Sequence, residues 1–146
     1  MKRIVNSFIA IVIVCGAFAV SGKAQISGSP TMRARIPFTF TVGEKTLPAG
    51  VYRITVLNPS SDRKALQIRS ETGRVSAIIQ TTGVKGALVD QAKLVFHRYG
   101  DSYFFAQAQM AGEATSLAAT KTRAERATQR ALKRNDSSTI IAIVAH

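Results

Sequence analysis

Apolar and polar residues alternate with a period of two along much of this chain, and that alternation constrains the fold more than any other feature. In residues 35–42 (RIPFTFTV) the even-numbered positions are all large and apolar, whereas the odd-numbered positions hold Arg, Pro and Thr. Successive side chains of a β-strand point to opposite faces, so this segment predicts a strand with one buried face. Pro37 has no N–H to donate, which predicts an edge position or an irregular start for that strand.

Further strands are predicted between groups of turn-forming residues. The segments with strand-like patterns are 51–57, 65–69, 74–81, 92–99 and 102–110. Gly100 and Asp101 form the loop of the clearest hairpin, because a leading glycine suits the type II′ turn that matches strand twist. Short strands with frequent turns predict a mainly β fold, either a single antiparallel β-sandwich or a small barrel of about six to seven strands.

The last third of the chain changes character. Residues 112–120 are small and polar and predict a loop. Residues 121–134 are free of glycine and proline and predict the single C-terminal α-helix, capped by Thr120 or Thr122. The apolar run at 139–144 predicts a final strand that docks on the sheet.

The N-terminus predicts export through a helical signal peptide over residues 1–24. Lys2 and Arg3 supply a positive start, Phe8 to Val20 is an unbroken apolar run, and small residues end the segment at Ala24. This order is typical of a cleaved signal, so we expect a periplasmic or extracellular protein whose mature chain begins just after Ala24.

Alternatives to that cleavage remain open. Cleavage after Ala19 is also acceptable, and an uncleaved anchor is the other possibility, although the 13-residue run is shorter than the about 20 residues that a bilayer core requires. Cys15 does not predict a lipoprotein, since the preceding residue is the branched Val14. The predicted organisation is signal peptide 1–24, flexible segment 25–32, antiparallel β-domain 33–112, and a loop, basic helix and terminal strand over 113–146 that complete the domain.

Composition narrows the classes of partner. The chain holds 20 Lys and Arg against 8 Asp and Glu, a formal net charge of +12, which favours anionic partners. For an exported protein these are an anionic envelope polymer or lipid head groups, and nucleic acid is not expected. The alternative is that the charge serves solubility alone. Since the single cysteine, Cys15, lies in the signal, the mature chain has no disulfide and no thiolate ligand.

Three segments together resemble a known group of proteins. Residues 36–52 read IPFTFTVGEKTLPAGVY, residues 93–104 read KLVFHRYGDSYF, and residues 123–126 read RAER. In this order they resemble small exported proteins of uncharacterised function that are frequent in Acidobacteria. The resemblance covers most of residues 35–130. It implies export and a single β-domain, and it implies no activity.

The predicted helix carries the strongest candidate binding residues. Four cations are spaced three or four apart, so they share one helix face. They are Arg123, Arg126, Arg130 and Lys133. Such a face can lie against a polyanion or lipid head groups. The alternative is a solvated outer face on a helix that packs through its alanines, and a membrane-seeking helix normally carries larger apolar residues.

Catalytic and metal sites have little support in the sequence. His97 and Asp101 flank the predicted hairpin turn, and with Ser102 or a tyrosine they form the only arrangement that suggests a small hydrolase or isomerase. That hypothesis requires the side chains to converge in an open cleft. The acidic residues are scattered without ligand spacing, so we expect no metal and no cofactor. The leading prediction is a non-enzymatic binding or structural β-domain of the cell envelope, without a transmembrane span in the mature chain.

Overall fold

The computed structural model describes residues 28–132 and 139–146, which form ten strands and one helix. The strands are β1 (Thr31–Ile36), β2 (Phe40–Val42), β3 (Lys45–Leu47), β4 (Gly50–Val56), β5 (Arg63–Ser70), β6 (Ser76–Lys85), β7 (Ala92–Tyr99), β8 (Ser102–Gln109), β9 (Thr115–Ala119) and β10 (Thr139–Ala145), and the helix is α1 (Arg123–Leu132). The mainly β prediction with one C-terminal helix is confirmed. The predicted signal peptide, both of its cleavage sites and Lys133 lie outside the described residues.

All ten strands belong to one sheet. The strand order along its main path is β1-β4-β5-β6-β9-β8-β7-β10. The short β2–β3 hairpin is a branch, in which β2 pairs with the same edge of β8 as β9 does. The pairings are antiparallel except that of β2 with β8, which meet in parallel at Thr41 and Phe104. At the end of the path Arg33 and His146 exchange two backbone hydrogen bonds, of 2.5 and 2.8 Å. These bonds link β10 back to β1, so the sheet closes on itself.

The core fills the inside of this closed sheet. Every second residue of β1 is buried, namely Met32, Ala34 and Ile36, and β4 and the first part of β7 alternate in the same way, whereas β8 buries consecutive residues. Phe96 on β7 lies at the centre, with its ring edge-on to those of Phe40 and Phe105. Burial of apolar area therefore stabilises the domain, in the absence of any cysteine among the described residues.

The strand predicted over residues 35–42 is broken in the structure. β1 ends at Ile36 and β2 begins at Phe40, because Pro37 cannot donate to a ladder at this point. Phe38, in the bend, is half-buried and stacks on Tyr103 with 3.9 Å between ring centroids. The break adds one strand to the predicted six to seven, and β3 and β9 add two more.

Two further boundaries differ from the predictions. β1 begins at Thr31, so the end of the predicted flexible segment 25–32 is in a strand. The predicted loop 112–120 contains β9, which fills the gap between β6 and β8. β-propensity depends strongly on the available neighbours, and small residues such as those of β9 form a strand when both neighbouring edges are open to them.

Helix α1 begins at Arg123, within the predicted segment 121–134, and packs differently from the expectation. Thr122 caps it, since its Oγ1 accepts a hydrogen bond of 3.1 Å from the backbone N–H of Glu125. The expected packing through alanines is wrong: Ala124, Ala127 and Ala131 are exposed, and Glu125 is the buried residue of the helix. Within the described part of the chain, no helix combines the length and apolar character needed to cross a bilayer.

Candidate anion-binding surface

The predicted basic stripe lies on the outer face of α1. Arg123, Arg126 and Arg130 are all exposed, whereas Glu125 of the same helix is buried. The fourth predicted member, Lys133, lies outside the described residues. The three arginines are therefore accessible, next to an equally exposed row of alanines that offers little apolar area.

A second basic surface, absent from the sequence predictions, lies on the outside of the sheet. Arg33 on β1 is directly opposite Arg53 on β4, and Arg53 is directly opposite Arg69 on β5. All three are exposed on the same face. We call Arg33, Arg53 and Arg69 the arginine row. Opposite side chains on adjacent strands are neighbours, and like charges in such pairs destabilise a sheet. The fold thus holds three cations close together, and a bound anion would reduce the repulsion between them.

A shallow cavity of about 440 Å³ lies along the row. Arg53 and Arg69 line it together with polar groups of the neighbouring strands and turn. These polar lining residues are Thr55, Gln67, Ser70, Glu71 and Thr72. Hydroxyl and amide groups can donate hydrogen bonds beside the guanidinium forks, so the cavity can hold the oxygens of a phosphate, sulfate or carboxylate group.

Glu71, in the turn after β5, balances part of this charge. Its carboxylate accepts one hydrogen bond from Arg33 Nε and a second, of 2.9 Å, from Arg33 Nη2. These bonds hold the pKa of Glu71 below its ordinary value and raise that of Arg33. The turn itself depends on Gly73, whose φ of +70° suits glycine and which lies close to the guanidinium of Arg69. The surface keeps a positive balance of three cations to one carboxylate.

The Arg33–Glu71 pair predicts a pH-dependent contribution to stability. The folded-state pKa of Glu71 lies below its unfolded-state value. The pair therefore contributes its full stabilisation at pH values above 4.5, the ordinary glutamate pKa. The contribution disappears as the pH falls through the lowered pKa, and it is small because the pair is exposed. We expect Glu71→Gln to lower the thermal midpoint slightly at neutral pH and by less at about pH 3. A difference that is the same at both pH values would contradict this.

The structure does not bring His97 and Asp101 together. His97 Nδ1 lies 2.7 Å from Glu125 Oε1, beneath the helix. Asp101 is fully exposed in the hairpin turn, with an oxygen 3.9 Å from Arg98 Nη2. The reason is geometric: His97 lies on the outer face of β7 under α1, whereas the turn carries Asp101 beyond the end of the strands into solvent.

His97 instead belongs to a hydrogen-bonded cluster between β7 and α1. Tyr99 Oη donates to the buried Glu125 carboxylate at 3.2 Å, and Lys121 Nζ donates to Tyr99 Oη at 3.0 Å and to Gln129 Oε1 at 3.3 Å. Each group has its partner, which is the pattern of a network that holds an element in place. Among the described residues no group of three His, Cys, Asp or Glu side chains is placed to hold a metal ion.

Comparison of the chain with protein-family models, with curated proteins and with solved structures gave no match. The resemblance noted from the sequence motifs therefore stays a prediction, and the proposals below rest on the geometry of the described residues.

Sequence reasoning missed the arginine row for a definable reason. Each of its members occupies a polar position in an alternating strand, which is also where any solvated residue would lie. Only the register between β1, β4 and β5 makes them neighbours, and a shift of one residue would separate them. The available signal was that each of these three strands carries an arginine at a polar position.

Proposed function

We propose that this protein is an exported, non-enzymatic binding domain of the cell envelope that captures polyanions on its arginine row. One observation carries the proposal: Arg33, Arg53 and Arg69 lie directly opposite one another on three adjacent strands and share one exposed face. Glu71 offsets the charge of Arg33 alone, so without an anionic partner the repulsion between Arg53 and Arg69 is not balanced in this pair of strands.

The chemistry of the row suits phosphate, sulfate or carboxylate groups. Each guanidinium is planar, permanently charged and able to donate two parallel hydrogen bonds to one anionic group. Adjacent strands are about 4.8 Å apart, so Arg53 and Arg69 present two such forks side by side, next to the Arg33 fork that Glu71 engages. A polymer with closely spaced anionic groups can occupy several forks at once, and the Thr55 and Gln67 side chains beside them can add neutral hydrogen bonds.

Export and the form of the sheet are part of the proposal. The signal-like residues 1–24 support export, and a chain without cysteine outside that segment is compatible with an oxidising compartment. We infer that the sheet takes the form of a small barrel rather than a sandwich. The Arg33–His146 hydrogen bonds support this, because they join the first and last strands of the path.

The arginine row can be tested against the helix stripe with two variants of equal charge. Arg53→Ala/Arg69→Ala and Arg123→Ala/Arg126→Ala each remove two exposed cations. For the row variant we expect at least about tenfold weaker binding of inorganic polyphosphate, which corresponds to about 1.4 kcal/mol. The helix variant should lose less than about twofold, because it affects only the long-range field. Isothermal titration calorimetry at fixed salt measures both.

Equal losses in the two variants would show that net charge alone governs binding and would refute the row as a site. A larger loss in the helix variant would assign binding to the basic stripe of α1 instead. Circular dichroism of each variant checks that the fold is retained, which we expect because all four side chains are exposed.

A further inference from the structure

The outer face of β10 carries an exposed apolar strip. Ile140 is 69% exposed and Val144 is 52% exposed, and Ala142 between them is also exposed. Since they are alternate residues of one strand, the three side chains lie in a line on the same face. Single exposed apolar residues are ordinary in proteins, but a continuous line of them indicates a contact surface. We call Ile140, Ala142 and Val144 the apolar strip.

Cations border the Val144 end of the strip on both sides. On one side, β10 is hydrogen-bonded to β1 through His146 and Arg33. Two residues away from this pair on each strand, and on the same face, Val144 of β10 lies beside Arg35 of β1. Both of these residues are exposed. On the other side Val144 is directly opposite Lys93 of β7. The apolar strip is therefore continuous with the arginine row, whose first member is Arg33.

We infer that the partner of this surface is an anionic lipid bilayer. This deepens the proposed function and rests on it. A soluble polyanion offers charge to the arginines and nothing to the apolar strip, whereas a bilayer interface offers anionic head groups and, directly below them, an apolar layer. In this arrangement Ile140 and Val144 enter the interface, and Lys93, Arg33 and Arg35 contact the head groups on either side.

A second copy of the chain fits the surface less well. If two copies met through their apolar strips about a two-fold axis, each would place its bordering cations near those of the other. Charge complementarity across an interface favours the opposite arrangement, positive against negative. The cations that flank the strip therefore favour an anionic surface over self-association.

Vesicle binding tests the inference. The protein is used in the form that the expressing cells deliver, with its N-terminus read by mass spectrometry. Co-sedimentation compares vesicles of phosphatidylcholine alone with vesicles of equal parts phosphatidylcholine and phosphatidylglycerol. We expect binding to the anionic vesicles and about tenfold weaker binding, or about 1.4 kcal/mol, for Ile140→Ser/Val144→Ser. Binding of inorganic polyphosphate by that variant should be unchanged.

A matched control removes two other exposed apolar side chains. Ile78 is 61% exposed and Leu88 is 65% exposed, and Ile78→Ser/Leu88→Ser should bind anionic vesicles as the unaltered protein does. Equal vesicle binding by the strip variant and the unaltered protein would overturn the lipid inference. So would a dimer in sedimentation equilibrium that the strip substitutions abolish, which would assign the strip to a second copy. Neither result concerns polyphosphate binding by the arginine row. That binding tests the proposed function separately.

Discussion

Replacement of Phe96 by alanine is expected to lower the free energy of unfolding by about 3–5 kcal/mol. Phe96 has no exposed surface, and its ring lies edge-on to Phe38 at 5.3 Å, to Phe40 at 5.4 Å and to Phe105 at 5.9 Å between centroids. These neighbours come from β2, from β8 and from the bend before β2, so they cannot all move to fill the cavity. Most small domains are stable by only about 5–15 kcal/mol, so the variant should be close to unfolding.

Urea denaturation followed by circular dichroism measures this effect, since the chain has no tryptophan to report by fluorescence. Leu88→Ala is the matched control: it also removes a large apolar side chain, but Leu88 is exposed, and we expect a change within about 0.5 kcal/mol. Similar destabilisation by the two substitutions would contradict the position of Phe96 at the centre of the core.

Glu125→Ala should destabilise the attachment of α1 by about 2 kcal/mol. The Glu125 side chain is only 3% exposed. Its carboxylate accepts a hydrogen bond from Tyr99 Oη, and Glu125 Oε1 lies 2.7 Å from His97 Nδ1. Because the alanines of α1 face solvent, this contact is the main buried attachment of the helix in the described residues. Its loss leaves polar groups of β7 without their partner under the helix, which costs more than the hydrogen bonds themselves contribute.

Amide hydrogen exchange of α1 measures the effect directly, and denaturation measures its share of the global stability. Arg126→Ala, an exposed change on the same helix, should alter exchange little. A double-mutant cycle of His97→Ala and Glu125→Ala should give a coupling energy of about 0.5–3 kcal/mol. If the two changes were additive, or if Arg126→Ala loosened the helix as much, the buried pair would not be what holds α1.

Local signals predicted much of the fold. The hairpin of β7 and β8 is present with Gly100 at a φ of +59°, as expected from a glycine that leads a two-residue loop. Thr122 caps α1 because its hydroxyl is placed one turn before a free N–H, a relation that depends only on spacing along the chain. The break at Pro37 has an equally local cause, the missing N–H donor.

Long-range relations were the ones that sequence reasoning missed. β9 is a five-residue segment, TSLAA, with no clear alternation, and it pairs with β6 on one side and β8 on the other. No local pattern marks Glu125 as buried, and its burial depends on contacts with His97 and Tyr99 of β7. The arginine row depends on the register of three strands, of which β1 and β4 are separated in the chain by β2 and β3.

The amino-acid sequence alone indicated a mainly β chain, most of its long strands, the β7–β8 turn and the cap of α1, because alternation, capping and turn formation act between residues a few positions apart. The tertiary structure decided which polar residues became neighbours. Arg33, Arg53 and Arg69 form a row, and β10 borders it with an apolar strip, through pairings between distant segments. The pairing of β1 with β4 and of β10 with β1 arises from closing the whole sheet over one core, and no local pattern specifies these pairings.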